Sequence, residues 1–198
     1  MIDPNILQTY NGQKKTFSKG DLLFREGHAA QYYFQVVSGE IKMYNFNDEG
    51  KEFIQGIFTE NDSFGEPPLF NKKLYLTNAV ATEQSVVWVL TKADFFQMME
   101  SEHEVALSVC LRLSDRLYYK SIMAMEISSE DAEHRLLRLF DFLKDDVAHL
   151  DKHQKYHITL TRQELADLTG LRVETVIRAV KSLEKKKAVS IVDRKIFR

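Results

Sequence analysis

Cysteine occurs once in the 198 residues, at Cys110, so no disulfide can form within the chain and a cysteine-ligated zinc site or iron-sulfur cluster lacks its ligands. A reducing cytoplasm is the compartment this composition fits. Long apolar runs are also missing. The longest, Val86 to Leu90, is five residues, far short of the roughly 20 that a membrane helix needs, and the start MIDPNILQTYNGQKKTF has no basic-then-apolar signal segment. These features predict a soluble, cytoplasmic protein without a membrane partner. No Gly-rich phosphate loop ending in Lys and no Ser-His-Asp or Cys-His set is visible, which speaks against an enzyme. Histidine is scarce in the strand-rich half, where only His28 stands, so a cupin-like metal enzyme, which needs several inward-facing histidines, is rejected.

What is present is an ordinary globular composition, 44% apolar, with a charge asymmetry hidden behind a net of -2. From Lys152 onward there are twelve Lys and Arg against five Asp and Glu, a net of +7; the first 151 residues hold fifteen against twenty-four, a net of -9. A basic module beside an acidic one points to a polyanion-binding surface on the second and another task for the first.

Between Phe17 and Leu90, glycines at 20, 27, 39, 50, 56 and 65 punctuate short segments rich in Tyr, Phe, Val and Ile. After the Ser38-Gly39 turn, Ile41 and Met43 alternate with Lys42 and Tyr44, the period of a half-buried strand. Several such strands in about 75 residues predict an antiparallel sandwich or roll. From Lys92 to Ile127 glycine and proline vanish and the spacing becomes helical, which predicts one long helix. By heptad, Ala106, Cys110, Leu113, Leu117, Lys120, Ala124 and Ile127 form a seam suited to a parallel copy of itself; packing on its own sheet is the alternative. Glu130 to Val147 predicts a second amphipathic helix with Leu136, Leu137, Phe140 and Leu143 buried.

The sharpest signal is LTRQELADLTGLRVETVIRAVKSLEKK. Thr161-Arg162-Gln163-Glu164 forms a capping box, and Ala166, Gly170 and Val176 have the spacing that two helices crossing through a tight turn require. On the second helix Val176, Ala179, Val180 and Leu183 face inward, while Val173, Glu174, Ile177, Arg178 and Lys181 share the outer face. An arginine in the major groove can bind guanine with two bonds and a glutamate can accept from cytosine; Val173 and Ile177 can meet thymine methyls, the alternative being that one of them packs under the neighbouring wing. A surface bridge between Glu174 and Arg178 is the alternative. Arg162, Arg172, Thr175, Lys181 and Lys186 are then phosphate contacts, which position without specifying sequence, and VSIVDRKIFR reads as a small hairpin wing. A DNA-free signalling adaptor is opposed by the +7 tail and the sorted helix.

Through FSKGDLLFREG, VVSGEIKMY, DSFGEPPLF and above all TRQELADLTGLRVETVIRAVKSLE, the chain resembles the Crp/Fnr superfamily of bacterial transcription regulators over nearly all its length. The resemblance implies an α+β protein: a jelly-roll-like antiparallel β-roll sensor over residues 1–96, a dimerisation helix over 97–127 and a winged helix-turn-helix over 128–198. It also implies a homodimer on near-palindromic double-stranded DNA with half-sites about 34 Å apart, a TGA-like half-site core, and RNA polymerase as a further partner. Ile177 departs from the serine of the fumarate-nitrate branch.

In the sensor, Gly65-Glu66 matches the ribose side of a cyclic-nucleotide pocket, where the family places Arg followed by Ser or Thr about ten residues on. Here Leu76-Thr77 stands, so a cyclic phosphate would lack its guanidinium and cyclic AMP is not expected as the effector. Either another molecule binds, neutralised by Lys72, Lys73 or Lys120 beside Ser121, or Leu76 and Pro67-Pro68 fill the pocket, or a nucleotide binds in a different pose. No cofactor or metal is expected. His28 and His103 are isolated, and His149, His153 and His157, four apart, lie in a segment predicted as loop and strand.

Overall fold

A computed structural model describes residues 2–46, 50, 52–128, 131–148, 150–151 and 153–198. The chain divides into two compact units, 1–113 and 114–198. In the first, a short helix α1 (Pro4–Thr9) precedes strands β1 (Gln13–Phe17), β2 (Leu22–Phe24), β3 (Tyr32–Ser38), β4 (Ile41–Phe46), β5 (Glu52–Phe58) and β6 (Ser63–Phe64). Helix α2 (Pro67–Asn71), strands β7 (Asn78–Ala81) and β8 (Ser85–Thr91), and helix α3 (Lys92–Ser101) follow. The strands build two antiparallel four-stranded sheets, ordered β1-β8-β3-β6 and β2-β7-β4-β5, which is the roll that the glycine punctuation predicts. Phe34, on the face of β3 opposite Tyr33, packs with Phe24 and Phe64, while Tyr33 stacks on Phe95 of α3; Ile41, Val87, Leu90 and Met98 belong to the same buried core.

The single helix predicted over 92–127 is two. Thr91 caps α3 by accepting from the Asp94 amide, and at Glu102 the backbone becomes extended, φ -112° and ψ 91°. The second helix, α4 (His103–Ser128), then starts at the next residue. The break lets two apolar pairs, Phe95 with Met98 and Val105 with Val109, press on the same core. Tyr10 Oη donates to Glu102 Oε1 at 3.0 Å and holds the corner. Because α4 begins on the roll core, the division between the two compact units falls within it, at 113/114.

The second unit continues with α5 (Ala132–Phe142), a π-helical turn (Leu143–Val147), β9 (His157–Ile158), α6 (Arg162–Thr169), α7 (Val173–Lys185), β10 (Ser190–Val192) and β11 (Lys195–Phe197). The helix predicted over 130–147 is thus shorter, with Glu130 outside the described residues. Its buried stripe is Leu136, Leu139 and Phe140 together with Arg135; Leu137 and Leu143 are only half-buried. Strands β10, β11 and β9 form a small antiparallel sheet, and the β10–β11 turn places Asp193 and Arg194 at positive φ, 49° and 64°, as a two-residue hairpin with matching twist demands.

Candidate nucleic-acid interface and sensor site

Helix α6 starts on the full capping box: the Thr161 hydroxyl accepts from the Glu164 amide, and Glu164 Oε2 accepts from the Thr161 amide at 2.6 Å. It ends at Gly170, φ 67°, a left-handed position that costs a residue with a side chain about 1 kcal/mol or more. That turn brings α7 across α6, and Ala166 and Val176, both fully buried, meet in one core with Leu165, Ala179, Val180 and Leu183.

The outer face of α7 is where the sequence places it. Glu174, Ile177, Arg178 and Lys181 are exposed; Ile177 keeps 38% of its surface, unusual for an isoleucine without a partner. Val173 differs: it is half-buried against the core of its own unit, which explains an apolar residue there without a thymine methyl. Glu174 and Arg178 form no ion pair among the described residues. Arg178 instead lies back on its helix through two long bonds, Nε to the Glu174 carbonyl at 3.4 Å and Nη2 to the Thr175 hydroxyl at 3.5 Å. Such weak ties leave the guanidinium available to a better acceptor.

Arg172 is exposed at the start of α7. Arg162, partly desolvated, reaches Arg194 in the wing turn, Nη2 to carbonyl 3.4 Å, beside a cleft of about 450 Å³ that His157, Thr161 and Lys195 also line. Lys186 is occupied: its Nζ lies 2.6 Å from Glu133 Oε2, a pairing that raises the ammonium and lowers the carboxyl relative to their ordinary pKa values. Lys181 is therefore the more available cation of that end of the helix.

In the roll, Gly65 has φ 77°, and a Cβ there would lie 3.0 Å from Phe24 Cε1 and 3.4 Å from Tyr75 Cε1. Glu66 follows with 1% of its surface exposed, and Thr77 is also buried. Leu76 is not in the interior. It is 78% exposed, as is much of Leu74, while Tyr75 between them is 4% exposed. The segment alternates, so a register shift of one residue moves the inward position from Leu76 to Tyr75. The expectation that Leu76 and Pro67-Pro68 fill the pocket is corrected accordingly, since Pro67 is exposed and Pro68 half-buried. Tyr75 is pinned by its backbone, with Gly27 N donating to its carbonyl and its own N–H donating to the His28 carbonyl, both at 2.9 Å. Burial, and secondarily the Glu66 carboxylate, push its phenol well above the usual tyrosine range.

Lys72 and Lys73 are exposed on the roll. Lys120 and Ser121 belong to the second unit; Lys120 is solvent-exposed, yet surrounding protein and then Arg116 lower its ammonium, and Ser121 Oγ donates to the Leu117 carbonyl. On α4, Ala106 and Leu113 of the expected seam are half-buried, Leu113 against the roll core. The exposed apolar stripe is Leu107, Cys110, Leu111, Leu117 and Tyr118, with Ala124 in line; of the expected seam it includes Cys110, Leu117 and Ala124. The side chain of Ile127, and all of His149, lie outside the described residues. His28, His103 and His153 are exposed, and His157 sits in β9 with its ring against Phe197. No cluster of three metal-ligating side chains occurs among the described residues.

Two residues escaped sequence reasoning. Tyr75 left no signal, because Leu74, Tyr75 and Leu76 are all apolar and their order does not say which faces inward; the burial of Arg135 was legible in its helical spacing with Leu136, Leu139 and Phe140.

Comparison with known proteins bears on both units. Residues 14–102 match the cyclic nucleotide-binding domain and residues 134–197 the Crp-like helix-turn-helix domain. The chain is 25% identical to the fumarate and nitrate reduction regulatory protein of Yersinia pestis over 180 residues, covering 90% of this chain and 72% of that protein. It is 25% identical to the cAMP-activated global transcriptional regulator Vfr of Pseudomonas aeruginosa over 191 residues, 90% and 85% of the two chains. In fold it resembles the c-di-GMP responsive global regulator CLP of Xanthomonas campestris, with a TM-score of 0.75, 19% identity and 98% of each chain covered.

Proposed function

The chain belongs to the Crp/Fnr superfamily of transcription regulators, and from that premise we propose that it reads near-palindromic double-stranded DNA as a homodimer without holding cyclic AMP in the usual way. The outer face of α7 carries the first part. Glu174, Ile177 and Arg178 project from a rigid, amphipathic helix whose opposite side is locked into a core. Arg178 supplies the fork for guanine, Glu174 the acceptor for cytosine and Ile177 the apolar contact, while Arg162, Arg172, Thr175 and Lys181 meet phosphates. The stripe of α4 supports the homodimer: Leu107, Leu111, Leu117 and Tyr118 are large, apolar and exposed along one side of a 26-residue helix.

The sensor part rests on Tyr75. A cyclic phosphate beside Glu66 needs a cation, and the inward residue of that segment is an aromatic ring next to a carboxylate. Chain membership alone suggests RNA polymerase as a further partner and the cytoplasm as the location; no helix among the described residues is long and apolar enough to cross a membrane. Calorimetric titration with cyclic AMP and cyclic GMP tests the sensor part, with no heat of binding expected; a micromolar dissociation constant overturns it. Selection from a random duplex pool tests the DNA part, with an enriched near-palindrome expected.

A further inference from the structure

Among the described residues, helix α5 makes polar contacts with the elements of the helix-turn-helix and its wing. Glu133 pairs with Lys186 at the end of α7, Asp141 Oδ1 accepts from Arg198 Nε at 2.6 Å beyond β11, and Arg135 Nη1 donates to the Thr169 carbonyl at 2.8 Å. The first two involve exposed or half-exposed groups that salt screens. Arg135 is 7% exposed, in the layer of Leu136, Leu139 and Phe140, so salt screens its bond far less.

Its acceptor is a particular carbonyl. Thr169 is the last residue of α6, where helix geometry leaves carbonyls without a following amide, and the chain turns left-handed at the next residue. The Thr169 hydroxyl is committed elsewhere, to the Leu165 carbonyl four residues back. A guanidinium at this end also complements the negative pole of the helix. Four residues after Thr169, α7 begins. The direction in which α7 leaves the turn is thus set by a peptide that Arg135 holds from a different helix.

We propose that Arg135 is a positioning residue for sequence discrimination: through the Thr169 carbonyl it fixes the turn between α6 and α7, and so the angle at which Glu174, Ile177 and Arg178 are presented. The inference rests on the DNA-binding function above. Base edges accept a bidentate partner only in a narrow range of positions, whereas long lysines and arginines follow a phosphate through small tilts. Loosening the turn should therefore erase preference while sparing general affinity.

The test uses the full chain, the duplex that it enriches from a random pool, and a scrambled duplex of equal length. For Arg135→Met, the ratio of affinities for the two duplexes should fall at least about fivefold, the loss of one base contact. Affinity for the scrambled duplex should stay within about twofold, because no phosphate contact is removed. Arg135→Lys, which can still donate to the same carbonyl over a shorter reach, should give an intermediate ratio. An unchanged ratio in a folded Arg135→Met protein, or a proportional fall on both duplexes, overturns the proposal. Should Arg135→Met melt below the assay temperature, Arg135→Lys decides, with a reduced ratio expected and a wild-type ratio overturning. Failure of the wild-type chain to enrich any duplex overturns the DNA-binding function, and the proposal with it; the variant outcomes overturn the proposal alone.

Discussion

Phe24 and Tyr75 stack face to face, ring centroids 3.7 Å apart and planes inclined by 6°, and the edges of both rings lie within 3.4 Å of where a Cβ on Gly65 would stand. Phe34 and Phe64 extend the cluster, at centroid distances from Phe24 of 5.8 and 6.2 Å. The interior beside Glu66 is therefore filled by the protein's own rings, in a place where a phosphate would need a cation.

Removing one ring should show how much the roll depends on it. Tyr75→Ala deletes a buried aromatic and opens a cavity, and should cost about 3 kcal/mol or more. Urea unfolding with an unchanged slope measures it; a loss below about 1 kcal/mol would mean that the ring is not part of the core.

The buried phenol also makes a prediction in alkali. Its pKa is raised in the folded protein, so its contribution to stability is complete below the unfolded value of about 10 and is lost as pH rises toward the higher folded value. Tyr75→Phe removes that proton. The difference in stability between wild type and Tyr75→Phe should be constant up to about pH 9.5 and then shift in favour of the variant. Parallel curves up to pH 11 would contradict the burial of the hydroxyl.

Two exposed residues on α7 should separate specificity from attraction. Arg178→Ala is expected to cost about 1–3 kcal/mol on the preferred duplex and to relax selection at one base pair. Lys181→Ala should weaken all duplexes alike and lower the salt slope by about one. Titrations by fluorescence anisotropy at several salt concentrations check both, and unchanged base preference in Arg178→Ala would displace the reading face.

The stripe on α4 makes a claim about mass. Leu117→Glu puts a charge in the middle of the apolar line and should shift sedimentation from dimer to monomer at micromolar concentration, with the helical content of the two units retained. A dimer that tolerates the change would place the interface elsewhere.

Much of this molecule could be read from order along the chain. Glycines spaced through Phe17–Leu90, the capping box Thr161–Glu164 and the Ala166, Gly170 and Val176 spacing are local signals, because turns and helix ends depend on a few adjacent residues. Faces of α7 followed from periodicity except at Val173, which the core half-buries, since the buried and exposed sides otherwise differ in kind.

Other features needed the third dimension. Whether Leu76 or Tyr75 points inward is a register question, and a count of ten residues from Glu66 cannot answer it when one residue reverses the face. The break at Glu102 follows from two helical segments competing for one core, which no local pattern announces. On α4 the roll core takes Val109 and part of Leu113, which a heptad count cannot distinguish from an exposed seam. Arg135 meets Thr169 across 34 residues, and a bond between a side chain and a distant backbone carbonyl leaves no mark on sequence spacing. Sequence by itself determined the family, the roll followed by helices, and the two-helix turn of α6 and α7, because local propensity and periodicity specify those. Tertiary packing alone decided which side chains share an interior, because that depends on how distant segments compete for the same buried volume.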